Sequence, residues 1–437
     1  MKHSSFLIFL FLIAIPAGAQ KRIFIPEDLQ NMNLDADSSK WCWHRSAETR
    51  DCIFFWERGF GNDLQNPPQL DGKPMAFNLS VLMERVQSFY TFFHDTLGWV
   101  LPPHKSHETH ESHKSHKTHK SHEPHKPYSK ADRYKMMVMI MYSLDGTAYG
   151  GTYDNFIGGL WVAPNRIQDK TMNCMAHELG HSFQLQIPAD SVGEAWGGSG
   201  FYEMTSQWML WQVNPWWLRD ENYHFEAFRK LTHKAYLDGE NIYHSPYVIQ
   251  WWSDLHGRKS IAELYRQGRR GEDPVITYKR MYNLSQTQFC DEMFRGYQHL
   301  MNFDFNHARQ ETRPYACTFS TELDTLSGGW LRPKYTPEAY GFNAIELPAR
   351  RSAKVTLRPT STRELRYGFV GVTTDDREIY SPIGATTFRT PKGTTLKKLY
   401  FIVMGAPNQH QQLRWNGYGD KDAANPTYPY ELKIAGR

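Results

Sequence analysis

Met175-Ala176-His177-Glu178-Leu179-Gly180-His181-Ser182-Phe183 lies inside a helical pattern that runs from about Gln168 to Gln186. On a helix, residues four apart lie only about 40° apart around the axis, so His177 and His181 project side by side and can share one Zn2+ through their ring nitrogens. Glu178 adjoins the first histidine. It can reach a water on the metal without ligating the metal, which is where a general base for hydrolysis has to stand. Met172, Met175, Leu179 and Phe183 make the same helix largely apolar. Two imidazoles and a carboxylate held there would be costly without a cation. A chain of this length and histidine content contains His-Glu-x-x-His by chance about 0.02 times.

A catalytic zinc of this kind takes a third protein ligand and keeps one open position. Downstream, Asp190, Glu194, Glu203 and His224 are the candidates. Glu203 is the choice, because Phe201-Tyr202-Glu203-Met204-Thr205-Ser206-Gln207-Trp208 reads as a second helix that can cross behind the first and aim a carboxylate at the metal. With that ligand set the chain resembles the zincin metallopeptidases of the gluzincin type. The resemblance implies a substrate backbone laid along a sheet edge, here Phe156–Ala163, with its scissile carbonyl over the metal. It sets the metzincin variant aside, since Gln184 and Ile187 stand where that pattern has Gly and His. Gln207 occupies the place where thermolysin-like members carry a second-layer Asp. His244 and Tyr247 are the candidates for the catalytic group that stabilises the oxyanion. More widely, the chain resembles a family of secreted bacterial proteins that join such a helix to a C-terminal β-domain, in runs such as Tyr367-Gly368-Phe369-Val370 and Met404-Gly405-Ala406-Pro407.

Outward from the motif, the chain alternates elements. Cys52–Trp56 is strand-like, and Leu82, Met83, Val86, Phe89, Tyr90, Phe93 and Leu97 keep helical spacing. Tyr134–Tyr142 and Phe156–Ala163 are strand-length apolar runs. From Phe225 to about His307 the pattern is mainly helical. Beyond Thr318 it turns to short β-rich runs at Phe342–Leu347, Ala353–Leu357, Tyr367–Val372, Glu378–Tyr380, Lys398–Met404 and Tyr430–Ile434. The expected class is α+β: a zincin-like lobe over 20–215, a helical lobe over 216–315 and a β-sandwich over 316–437. The Trp-rich stretch Trp208, Trp211, Trp216 and Trp217 and the pair Trp251-Trp252 suit core packing more than a stacking cleft.

The 437 residues, 40% hydrophobic and 14% aromatic, are too many for one small module and too apolar for wholesale disorder. A net charge of +4 lacks the basic surplus of a nucleic-acid binder. Lys2, the apolar run Phe6–Ile15 and Ala17-Gly18-Ala19 have the form of a secretory signal covering residues 1–19, with cleavage after Ala19 and a secreted or periplasmic product. No later run is long enough to span a membrane. Eight of the 20 histidines recur every third residue from His104 to His125, in a polar insert between Pro103 and Pro127 that cannot build a core. Cys42–Cys52 and Cys290–Cys317 are pairs suggested by proximity, with Cys174 a buried thiol. The expectation is a secreted, monomeric, zinc-dependent hydrolase acting on a protein or peptide substrate, with glycan or cell-surface contact through the C-terminal domain. The alternative is a non-catalytic, zinc-containing binding protein for glycan or host protein on the same scaffold.

Overall fold

The computed structural model describes residues 20–100, 129–146, 148–193, 196, 200–234, 236–412 and 425–435. The expected leader, the histidine repeat and Glu194 lie outside the described residues. The fold is α+β, with three sheets among these residues.

The first sheet contains β1 (Ser46–Glu48), β2 (Cys52–Trp56), β3 (Met136–Ile140), β4 (Tyr149–Tyr153) and β5 (Ile157–Val162) in the order β1-β2-β3-β5-β4. β2, β3 and β5 run parallel, while β4 is antiparallel to β5. All five residues of β3 are buried, as a strand covered on both faces requires. The edge beside the motif helix is therefore β4; β5, within the run Phe156–Ala163 expected at the edge, is interior. The edge strand escapes an apolar-run reading because it consists of Tyr149-Gly150-Gly151-Thr152-Tyr153.

Three helices pack beside this sheet: α1 (Leu79–Thr91), α2 (Asn173–Ala189) and α3 (Phe201–Val213). α2 carries the histidines and is docked on β5 by polar side chains. Ser182 Oγ donates to Gly159 O (2.7 Å), Gly158 N donates to Gln186 Oε1 (2.8 Å), and Gln186 Nε2 donates to Phe156 O (3.1 Å). Phe183 packs against Tyr90 and Phe93 at ring distances of 5.0 and 5.7 Å. The helical region continues with α4 (Asn222–Leu231), α5 (Tyr247–His256), α6 (Ser260–Gln267), α7 (Pro274–Met281) and α8 (Gln286–Leu300). Trp208, Trp211, Trp217 and Trp252 are core side chains, whereas Trp216 is exposed.

The C-terminal strands are β6 (Leu323–Thr325), β7 (Leu331–Pro333), β8 (Phe342–Leu347), β9 (Ser352–Pro359), β10 (Leu365–Thr373), β11 (Glu378–Tyr380), β12 (Thr387–Arg389), β13 (Leu396–Gly405) and β14 (Tyr430–Ile434). They form two antiparallel sheets, ordered β11-β10-β13-β8 and β12-β9-β14-β7-β6. Alternation along β13 divides its side chains between two cores. Leu399, Phe401 and Val403 join Val355, Leu331 and Leu432 from the other sheet; Tyr400, Ile402 and Met404 join the core that runs through the sheet and helices upstream. The helical region thus shares its core with the motif-bearing sheet rather than building one of its own. All five cysteines are free: Cys317 Sγ donates to Asn302 Oδ1 (3.2 Å) and Cys290 Sγ lies 3.7 Å from Pro407 O.

A charged cluster ties the helical region to β11. Asp304 accepts from Tyr380 Oη (2.7 Å), contacts His299 Nδ1 (3.1 Å) and pairs with Arg309, whose Nη2 reaches Glu378 (2.6 Å). The His299 bond foremost, with Tyr380 and Arg309, holds the Asp304 carboxyl well below the usual range against the opposing effect of burial. A folded pKa below the unfolded value of about 3.9 makes this stabilisation complete above that pH and lost as the pH falls toward the folded value. Asp304→Asn is expected to cost on the order of 2 kcal/mol at pH 7, read as a lowered thermal midpoint, with the deficit shrinking below about pH 4. A variant as stable as the wild type at pH 7 would contradict the clamp.

Candidate metal centre

Glu203 reaches the two histidines because α3 crosses α2 at very short range. At the crossing stands Gly180, where a Cβ would lie 2.8 Å from Ser206 Oγ. The bare glycine lets the helices close up, and Glu203, in the first turn of α3, aims Oε2 at His177 Nε2 (3.0 Å) and His181 Nε2 (3.2 Å). Those two nitrogens are 3.1 Å apart. The side chains of His177, His181 and Glu203 are 10%, 12% and 18% exposed, so the group is nearly closed yet reachable from solvent.

Which nitrogen of each ring carries the proton follows from two backbone carbonyls, which can only accept. Gln207 donates Nε2–H to Tyr243 O (3.0 Å), which turns its Oε1 toward His177 Nδ1 (3.1 Å). Gln184 donates Nε2–H to Tyr202 O (3.0 Å), which turns its Oε1 toward His181 Nδ1 (3.0 Å). Both Nδ1 atoms therefore hold the proton, and both Nε2 atoms present lone pairs. The three converging atoms are all acceptors, and no hydrogen-bond donor from the described residues reaches them. Burial raises the Glu203 carboxyl, but the two imidazoles facing it outweigh that and hold the group well below its usual range. Burial opposes charge on His181, yet the Glu203 carboxylate outweighs that and its pKa rises. Two imidazole nitrogens and a carboxylate oxygen, within 4.8 Å of one another, form a group that could hold a metal ion, with the donor types zinc takes.

Glu178 stands apart from the trio. Its Oε2 accepts Gly150 N–H from the edge strand at 2.9 Å. β4 can pass so close only because Gly150 lacks a side chain: a Cβ there would lie 1.8 Å from the Glu178 carbonyl oxygen and 2.8 Å from His181 Cβ.

The other candidates go elsewhere. Asp190 accepts from Ser129 Oγ (2.5 Å), Lys130 N (2.9 Å) and Gln186 Nε2 (2.8 Å), fastening the end of α2. His224 is not a ligand; its Nε2 lies 3.1 Å from Gln207 Nε2 and its Nδ1 2.7 Å from His244 Nδ1. His244 is thus joined to His177 only through His224 and Gln207. Tyr247 is not brought to the cluster at all. It is buried against Trp211, Phe228 and Phe303, its hydroxyl has no hydrogen-bond partner, and burial drives its pKa well above 10. Helix-start spacing placed it correctly along α5 but not on which face. Gly150, Gln184 and Ser206 are the residues of the centre that motif spacing missed; the Gly150-Gly151 pair between Tyr149 and Thr152 was the readable sign of a strand pressed against another backbone.

An α+β chain with a His-His-Glu centre at a helix crossing is thus defined by structure. The chain belongs to DUF6055, a family of unknown function whose model matches residues 16–437. Comparison with curated proteins gives no match.

Gly150→Ala is expected to push β4 off α2. A lowered thermal midpoint and weakened zinc binding in equilibrium dialysis would follow, and a variant equal to the wild type in both would contradict the close approach.

Proposed function

We propose that the protein is a secreted zinc-dependent hydrolase, a metallopeptidase of gluzincin-like build with a C-terminal β-sandwich. The observation that carries this reading is the convergence of His177 Nε2, His181 Nε2 and Glu203 Oε2, all lone-pair donors, on one point beside a carboxylate that does not join them. Bound there, zinc supplies Lewis acidity, which acidifies a water and polarises a scissile carbonyl. Glu178 is the general base: it takes the proton that the attacking water gives up and returns it to the leaving nitrogen. Gly150 N–H holds that carboxylate turned toward the edge strand. Among the described residues no further strand pairs with β4, and this supports an extended polypeptide as substrate, since a strand edge offers backbone groups to a second chain. His244, half-buried at the outer end of the chain of rings, remains the candidate donor to the developing oxyanion; Tyr247, in the core, is set aside.

Elemental analysis and a peptide-library digest test this together. One zinc per chain is expected in the wild type and in Glu178→Gln, with cleavage lost by at least about 1,000-fold in the variant, as for removal of a group central to the chemical step. Glu203→Gln should lose most of the zinc. A wild-type protein that takes no zinc, or a Glu178→Gln variant that cleaves normally, would overturn the proposal.

A further inference from the structure

Resting on the metal site proposed above, we infer that His224 is a positioning residue for the ligand His177, acting through the amide of Gln207. An amide can hold an imidazole in the right tautomer only if it cannot turn over, because its two ends look alike in shape and opposite in chemistry. A carboxylate in this position would accept from either oxygen and need no such control. Gln207 needs it, and two acceptors supply it: Tyr243 O at 3.0 Å and His224 Nε2 at 3.1 Å, both facing Gln207 Nε2. With its Nε2 serving as acceptor, His224 carries its proton on Nδ1 and donates it to His244 Nδ1 at 2.7 Å. The sequence of donors and acceptors is consistent from end to end. His224 hands its proton outward to His244, Gln207 hands one to His224, and His177 hands one to Gln207, leaving His177 Nε2 bare.

The surroundings hold His224 in that role. Its ring is tilted against Trp217 at 5.6 Å and Tyr223 at 4.2 Å, and it is buried. Burial, with His244 nearby, pushes its pKa down to about 3, so it stays neutral and keeps its lone pair. Glu221 Oε2, at 3.8 Å from His224 Nε2, is too far to bond it and instead accepts from Trp217 Nε1 (2.7 Å). A buried ring with one lone pair and one proton, each spent on a named partner, is more than packing demands.

Two readouts on full-length protein test this: zinc affinity by chelator competition, and the His177 tautomer by ring 15N spectra of histidine-labelled, metal-free protein. His224→Phe keeps a ring between Trp217 and Tyr223 but offers no lone pair. It should weaken zinc binding about 10-fold, as loss of a ligand's outer partner does, and turn the single Nδ1–H form of His177 into a mixture. His224→Gln, whose amide oxygen can accept from Gln207, should restore both. Gln207→Leu should cost at least as much as His224→Phe, and combining the two should add nothing. Unchanged affinity and tautomer in His224→Phe, failure of the Gln variant to rescue, or additive losses in the double variant would each overturn the inference. If the wild type takes no zinc, the metal reading falls, and the spectra of metal-free protein still decide: an intact Nδ1–H form in His224→Phe would overturn the role of His224.

Discussion

Three lone pairs directed at one point repel unless something positive stands between them. His177, His181 and Glu203 are held in that arrangement by the body of the protein. Gly180 permits the helix crossing, Ser182 and Gln186 clamp α2 to β5, and Gln184 and Gln207 fix the imidazole protons on the far side of each ring. Together they hold the three side chains in one fixed arrangement, as the proposed metal site requires.

The parts of the chain far from the motif act on this centre through packing. Tyr243, whose carbonyl orients Gln207, and His224 both come from the helical region, which in turn rests on the outer face of the C-terminal sheet. Tyr297 of α8 stacks on Phe342 of β8 at 4.2 Å, and Gln298 Nε2 donates to Phe369 O at 3.1 Å. Backbone bonds from Phe342 N to Thr232 O (2.6 Å) and from Glu338 N to His233 O (2.7 Å) close the junction beside α4. The C-terminal strands are therefore a support for the helices that hold the outer partners of the ligands, whatever else their exposed faces contact.

Much of the cluster was legible because its residues lie close in sequence. The four-residue spacing of His177 and His181 forces them onto one helical face, and a helix beginning at Phe201 puts Glu203 where it can cross. The strands β8, β11 and β14 were readable from apolar runs of strand length. What stayed hidden depends on partners distant in sequence. β4 pairs with β5, and the two glycines between Tyr149 and Thr152 break the apolar run that would have marked it as a strand. The choice between Asp190, His224 and Glu203 as third ligand, and the face on which Tyr247 lands, are set by how helices cross. The roles of Gln184 and Gln207 rest on carbonyls of Tyr202 and Tyr243 that no local pattern names. Pairing cysteines by proximity failed for the same reason, since closeness along the chain says little about side-chain direction.

The central claim is that His177, His181 and Glu203 bind zinc through the atoms they already aim at one another. An anomalous difference map recorded at the zinc absorption edge from crystals of the full-length protein measures that directly. One strong peak is expected between His177 Nε2, His181 Nε2 and Glu203 Oε2, with both Nδ1 atoms still bonded to Gln207 and Gln184. No peak in zinc-supplied crystals, or a peak held through either Nδ1, would contradict it.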